Sequence, residues 1–362
     1  MKYIDEYRDP DLARKIVASI KHISTKPANI MEFCGGHTNA IMRNGIRQLL
    51  PANIRMLSGP GCPVCVSSNA DIDKAIALAN LPGVIVTTFG DMIRVPGSYS
   101  NLQQARAGGA DIRIVYSPQD AVRIAEKNPS KSIVFIAVGF ETTAPGIASS
   151  ILEAQSLKLT NYYVLSLLKN TPAVIKAVLE LGEVKIDGIL GPGHVCAVLG
   201  SVPFEFIARD YGIPFVISGF EPVDIIASIN NIILQIEEGK AEVGIAYKRG
   251  VKSGGNKKAR EIMHTVFEAG NAEWRGIGSI PSSGFKLSAG YRQFDAIVHF
   301  NPKVPPPREA AGCICGEVLR AIKTPDQCKL FRKVCMPESP VGPCMVSSEG
   351  TCAAYYSYGD KL

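Results

Sequence analysis

Ten cysteines stand in a chain of 362 residues, and their spacing sorts most of them into three groups that could do chemistry. Six fall in the last fifty residues: Cys313, Cys315, Cys328, Cys335, Cys344 and Cys352. Iron–sulfur clusters are held by cysteine thiolates, usually about four. Tetrahedral zinc is the competitor, but its sites favour paired short spacings. Here Cys313 and Cys328 enclose fourteen residues, Cys328 and Cys335 six, and Cys335 and Cys352 sixteen. Such gaps suit a cluster wrapped by a loop-rich segment. The second group is Cys62-Pro-Val-Cys65, directly after a Gly-Pro-Gly turn. This spacing can close a disulfide or share a metal, and a helix opening there would make the thiols reactive. The third is Cys34-Gly-Gly-His37. A thiol and an imidazole this close suit iron or zinc, or a nucleophile with its base.

These groups need elements to hold them. Residues 6–24 read as an amphipathic helix, with Leu12, Ile16, Val17 and Ile20 on one face. Eight short apolar runs follow, alternating with helical stretches: 29–33, 54–57, 84–87, 112–116, 133–138, 162–167, 188–190 and 215–217. Strands alternating with helices predict an α/β fold with parallel sheets. Ligands bind such sheets beyond the carboxyl ends of the strands. Cys34, Cys62 and Cys65 fall at such ends, and so do Asp91, Arg94, Glu141, His194 and Glu221. Each of those five polar residues alone would be a cap or turn residue. Their shared placement makes them candidates to line a cleft. Cys196 lies in an apolar helical stretch and reads as core, and Trp274 as packing at a domain contact.

A weak internal repeat runs through the same turns. FCGGHT (33–38), SGPGCPVC (58–65) and TTFGDMIRVPGS (87–98) are echoed by GFETTAPG (139–146), LGPGHVC (190–196) and ISGFEP (217–222). The repeat predicts two similar parallel-sheet α/β domains facing a cleft, residues 28–126 and 127–260, after an N-terminal helix in 1–27. Residues 261–302 read as a connecting segment. A proline-rich stretch then opens a small loop-rich iron–sulfur unit at 303–362, too poor in apolar pattern to fold on burial alone.

Bulk properties narrow the function. Hydrophobic residues make up 46% and charged residues 20%, values of a globular protein. Net charge is +6, but the densest basic stretch, 248–260, is short and glycine-rich and reads as a solvated loop rather than a nucleic-acid patch. No apolar run is long enough to span a membrane, and the N-terminus carries acids where a secretory signal would be apolar. A cytoplasmic location follows as the expectation. Thiols stay reduced there unless they bind metal or do redox work.

Taken together, CGGHT (34–38), GPGCPVC (59–65), FGDMIRVPGS (89–98), GFETTAP (139–145), GPGHV (191–195) and PCMVSSEGTCAAYY (343–356) closely resemble the HypD hydrogenase maturation proteins. The resemblance runs from about residue 6 to residue 360. It implies a scaffold on which an iron ion receives cyanide and carbon monoxide before delivery to the large subunit of a nickel–iron hydrogenase. It implies two partners, a small HypC-type chaperone and a HypE-type protein that supplies the cyanide. It also implies a 4Fe–4S cluster on Cys313, Cys328, Cys335 and Cys352, with Cys315 near enough to Cys313 to exchange with it. The family's cleft thiols fall on Cys34, Cys62 and Cys65, with Cys34 as ligand to the iron being assembled. His37 would orient a ligand, shuttle a proton or cap the helix. The cluster-plus-dithiol arrangement is similar to ferredoxin–thioredoxin reductase and suggests an electron relay. Two other classes compete: a stand-alone thiol–disulfide reductase using Cys62 and Cys65, and a zinc-stabilised binding protein without redox work.

Overall fold

The protein's computed structural model describes residues 4–359; residues 1–3 of the expected N-terminal segment and 360–362 of the expected cluster unit lie outside the described residues. All eight apolar runs become strands: β1 (Ala28–Glu32), β2 (Ile54–Ser58), β3 (Val84–Thr88), β4 (Asp111–Ile114), β5 (Ser132–Gly139), β6 (Tyr162–Leu168), β7 (Gly188–Pro192) and β8 (Phe215–Ser218). Most are apolar and buried along nearly their whole length, because helices cover both faces of a parallel sheet. A short β9 (Val243–Ile245) was not evident in the sequence.

The strands form two parallel sheets. One runs β2–β1–β7–β8–β9 and the other β4–β3–β5–β6. The sheets do not divide the chain at 126/127. That point falls inside the second sheet, whose strands occupy residues 84–168 as one block between β2 and β7. The Gly-Pro-Gly turns that suggested two copies belong to one sheet, after β2 and at the end of β7, on either side of β1. The cause is long-range pairing: β7 takes the second edge of β1, a choice that local periodicity does not encode.

Residues 261–302 also do more than connect. After the helix Lys257–Val266 comes an antiparallel hairpin, β10 (Phe267–Trp274) and β11 (Gly278–Leu287). It docks on β6, the edge strand of the second sheet. Ser166 Oγ donates to the Phe285 carbonyl at 2.5 Å, and the Asn170 N–H donates to the Ser283 carbonyl at 2.8 Å. Trp274 is buried at the hairpin's end, near the Phe140 ring, and its Nε1–H donates to Ser283 Oγ at 2.8 Å.

The N-terminal helix runs Pro10–Ile23 and buries Val17 and Ile20. It starts later than residue 6 because Asp9 caps it, accepting from the Asp11 and Leu12 N–H groups, and Pro10 fits only a first turn. Beyond residue 302 regular structure is sparse, chiefly the short helices Cys315–Leu319 and Thr351–Tyr358. This segment is nonetheless anchored. Its last helix packs on Gly35–Arg43, burying Met42, Ala354 and Tyr355 together. No helix among the described residues is long and apolar enough to cross a membrane.

Candidate functional site

β1 ends at Glu32, and Cys34, two residues on, is the N-cap of the helix Gly35–Arg43. β2 and β7 flank β1; the turn after β2 closes on Cys34, while the turn at the end of β7 packs on Phe220, whose other side meets Gly36. Gly61 lies directly on the Cys34 backbone: a Cβ there would sit 2.2 Å from the Cys34 nitrogen, and the Gly61 carbonyl accepts from the Gly35 N–H at 3.1 Å. Only glycine permits that approach. The next residue, Cys62, is thereby set beside Cys34. Cys62 and Cys65 are joined as a disulfide across the helix Pro63–Val66, and both are buried. On its far side Cys65 Sγ lies 3.9 Å from the Pro343 carbonyl, one residue before Cys344.

Two carboxyls not evident in the sequence frame Cys34. Glu32 is fully buried; it accepts from the Cys34 N–H at 2.9 Å and from the Thr38 hydroxyl. Burial pushes its pKa up to about 8. Glu349, from the C-terminal segment, lies against Gly35, with its Cβ 2.5 Å from where a Gly35 Cβ would stand. Burial, and then the charge of Asp91, raise it above the usual carboxyl range. The Cys34 thiol itself is pushed up to about 12, by burial first and then chiefly by Glu349 and Glu32. Cys34 is therefore a neutral thiol beside two carboxyls whose ionisation burial also disfavours, a setting that disfavours a bare thiolate and favours a cation bound to one.

His37 is also buried, and burial lowers its pKa to about 4. The ring is neutral; Nε2–H donates to the Gly219 carbonyl at 2.9 Å, while Nδ1 has no partner among the described residues. Phe220 is stacked by His37 at 4.5 Å and by His194 at 4.0 Å. The five polar strand-end residues then part company. Asp91 and His194 stand in the surroundings of Cys34 through Glu349 and Phe220. Arg94 turns away and donates to the Pro337 and Val346 carbonyls at 2.9 and 3.0 Å. Glu141 is buried and clamps Thr171, accepting from its N–H at 2.7 Å and its hydroxyl at 2.6 Å. Glu221 caps the helix Pro222–Glu238 and accepts from Arg8 at 2.8 Å. These three satisfy structural partners: two carbonyls for Arg94, Thr171 for Glu141 and Arg8 for Glu221. Cys196 is buried in the helix Gly193–Leu199.

All six C-terminal cysteines line one cavity, together with Ile314, Leu330 and Phe331. Cys315 Sγ and Cys344 Sγ are 2.6 Å apart. Hydrogen bonds from Cys313 and Cys344 hold the Cys315 thiol low, and the same contact drives Cys344 high. A side chain on Gly342 would meet Cys313 Sγ at 2.7 Å, so glycine keeps this wall clear. Six soft donors facing one space fit a thiolate-held group. Among the described residues, no three histidine, cysteine or carboxylate side chains are placed to hold a single metal ion. Cys344, to which the sequence assigns no role, is thus part of the constellation.

The family model for HypD, described as the hydrogenase formation hypA family, matches residues 11–359. The chain belongs to the HypD family. It is 46% identical, over 369 aligned positions, to hydrogenase maturation factor HypD2 of Bradyrhizobium diazoefficiens, covering 99% of this chain and 97% of that protein. It is 46% identical to hydrogenase maturation factor HypD of Cupriavidus necator, with the same coverage over 370 positions. To the HypD of Escherichia coli it is 41% identical, covering 99% of this chain and 98% of that protein. The HypD match therefore contains the Cys34 turn, the disulfide helix and the cysteine-lined cavity together, as the sequence motifs implied.

Proposed function

We propose that the protein is a hydrogenase maturation factor that holds an iron ion on Cys34 while cyanide and carbon monoxide are added to it. The observation that carries this reading is the position of the Cys62–Cys65 pair, with Gly61 against Cys34 on one side and Pro343 beside the cysteine cavity on the other. The iron is cargo. Cys34 would offer it a strongly donating sulfur, losing its proton as the cation arrives, and Glu32 and Glu349 would compensate the cation's charge. A single thiol leaves coordination positions for the diatomic ligands and for a cysteine of a HypC-type chaperone. Cyanide would come from a HypE-type protein.

Cys313, Cys328, Cys335 and Cys352 would hold a resident 4Fe–4S cluster, with Cys315 and Cys344 in the same cavity. When bound, such a cluster supplies electrons one at a time. Opening the Cys62–Cys65 bond takes two electrons and two protons and leaves two thiols, the electrons drawn ultimately from an external low-potential donor. Burial of both sulfurs argues against a stand-alone reductase, which needs an attacking thiol that its substrate can reach. We place this work in the cytoplasm, where thiols persist.

The test is infrared spectroscopy of protein purified without oxygen together with its chaperone. The cyanide and carbonyl stretches of Fe(CN)2CO are expected in wild type and Cys196→Ala and absent in Cys34→Ala, with cluster iron retained in all three. Normal bands in Cys34→Ala would move the workplace away from β1.

A further inference from the structure

The hairpin turn at residues 274–277 touches both redox-capable parts of the molecule. On one side the Arg275 N–H donates to the Val66 carbonyl at 2.9 Å, one residue after Cys65, and Trp274 forms a bridge with Ser67. On the other side Gly276 meets Gly316, one residue after Cys315: a Cβ on Gly276 would stand 2.2 Å from the Gly316 Cα. Gly276 has φ +75°, so its left-handed backbone and its missing side chain are both used. Between the two sides Arg275 is 4% exposed. Its Nε–H donates to the Ser67 carbonyl at 2.8 Å, Nη2 donates to the Pro96 carbonyl at 3.0 Å, and Nη1 pairs with Glu309 at 3.1 Å. Pro96 follows β3, and Glu309 leads into the cysteine segment. One buried fork thus ties the disulfide helix, the turn region after β3 and the start of the cysteine segment.

We propose that this turn is a positioning element for electron transfer, with Gly276 setting the separation between the Cys62–Cys65 pair and the six-cysteine cavity and Arg275 locking it. The inference rests on the relay reading above. It assigns a task to residues that hold neither sulfur nor metal. A hairpin is suited to it, because its two paired strands are fixed on β6 and leave only the turn at the junction. A Cβ at Gly276 meets backbone rather than a flexible side chain, so one of the two sides must move.

The experiment uses full-length protein purified without oxygen. A photoreduced deazaflavin serves as the external one-electron donor and delivers two electrons in succession for each disulfide opened. Iron content and visible absorbance report the cluster, and thiol alkylation followed in time reports the dithiol. In Gly276→Ala we expect unchanged iron and an intact disulfide, but formation of the dithiol slowed severalfold, because electron transfer between two centres falls exponentially with their separation. The dithiol–disulfide ratio reached at equilibrium in defined thiol buffers, which bypass the cluster, stays at its wild-type value. Gly278→Ala is the control: its φ of +95° makes the substitution strained, but nothing lies within 4 Å of the new Cβ, so the coupled rate stays at wild type. Arg275→Lys keeps the charge and loses the fork, and is expected to slow coupling as Gly276→Ala does. If Gly276→Ala does not fold, Gly316→Ala presses the same contact from the other side, 2.8 Å from the Gly276 Cα. A wild-type coupled rate in Gly276→Ala, or in Gly316→Ala where that stands in, overturns the inference about the turn. A wild-type rate in Arg275→Lys removes the role given to Arg275. Wild-type protein that retains its cluster yet never forms the dithiol overturns the relay reading itself.

Discussion

Glu141 offers a quantitative check on the distinction between residues that serve the Cys34 site and residues that build the frame. It is fully buried, receives two hydrogen bonds from Thr171, and has its pKa raised from 4.5 to about 7 by burial. In the unfolded chain the carboxyl ionises near its ordinary value; in the folded protein it holds its proton until about pH 7. Between these values the native state binds more protons, so stability falls as pH rises. The stabilising contribution is complete below about pH 4.5 and is lost as pH rises through about 7. At about 1.4 kcal/mol per pH unit, the loss amounts to about 3 kcal/mol. Glu141→Gln removes the ionisation and can keep both contacts, its oxygen accepting from the Thr171 N–H and its amide donating to the Thr171 hydroxyl. We expect the stability of Glu141→Gln relative to wild type to increase by about 3 kcal/mol from pH 4.5 to pH 7.5. Urea denaturation at half-unit pH intervals measures this directly. Comparison with wild type at each pH cancels the opposing contribution of His37, whose lowered pKa makes stability rise between about pH 4 and 6.5. Parallel curves for the two proteins would refute the reasoning and return Glu141 to the solvated cleft. The variant should also keep the infrared bands of the assembled iron group, since Glu141 contacts Thr171 rather than cargo.

Other outcomes follow from the same geometry. Cys328→Ala or Cys335→Ala should lose iron and make residues 308–359 protease-sensitive while 30–250 stay resistant, because metal-binding energy is folding energy where the core is small; retention of full iron would exclude these ligands. The Cys62–Cys65 pair should behave as a reversible two-electron couple in defined thiol buffers, read by alkylation, and a pair that never opens under reducing conditions would exclude a relay. Gly61→Ala should cost about 3 kcal/mol and open the Cys34 site, since the new Cβ overlaps backbone that cannot step aside; unchanged denaturation would show the turn to be looser than described. Lys169→Met should cost about 3 kcal/mol by leaving Asp71 buried with only the more exposed Lys74 as cation, and Asp71→Asn in the same chain should recover much of it.

Sequence by itself determined a good deal here. Hydrophobic runs of strand length located eight strands to within two residues, since burial between helix layers demands continuous apolar side chains. Thiol spacing singled out Cys34, Cys62, Cys65 and the C-terminal group, because few residue types can do soft-ligand or redox chemistry. Motif order placed the chain in its family. What only the tertiary structure decided were the long-range choices. Pairing of β1 with β7 put the two Gly-Pro-Gly turns on either side of the strand that leads to Cys34 and made residues 84–168 an insertion rather than half of a repeat. The hairpin at 267–287 was illegible because its exposed face and glycines break the alternating apolar pattern. Glu32 and Glu349 look like ordinary surface acids in the sequence; folding buries one at a strand end and brings the other from more than three hundred residues away. Arg94, Glu141 and Glu221 sit where cleft residues would, yet bind their own frame. A strand end specifies where a side chain starts, whereas packing in three dimensions determines what it reaches.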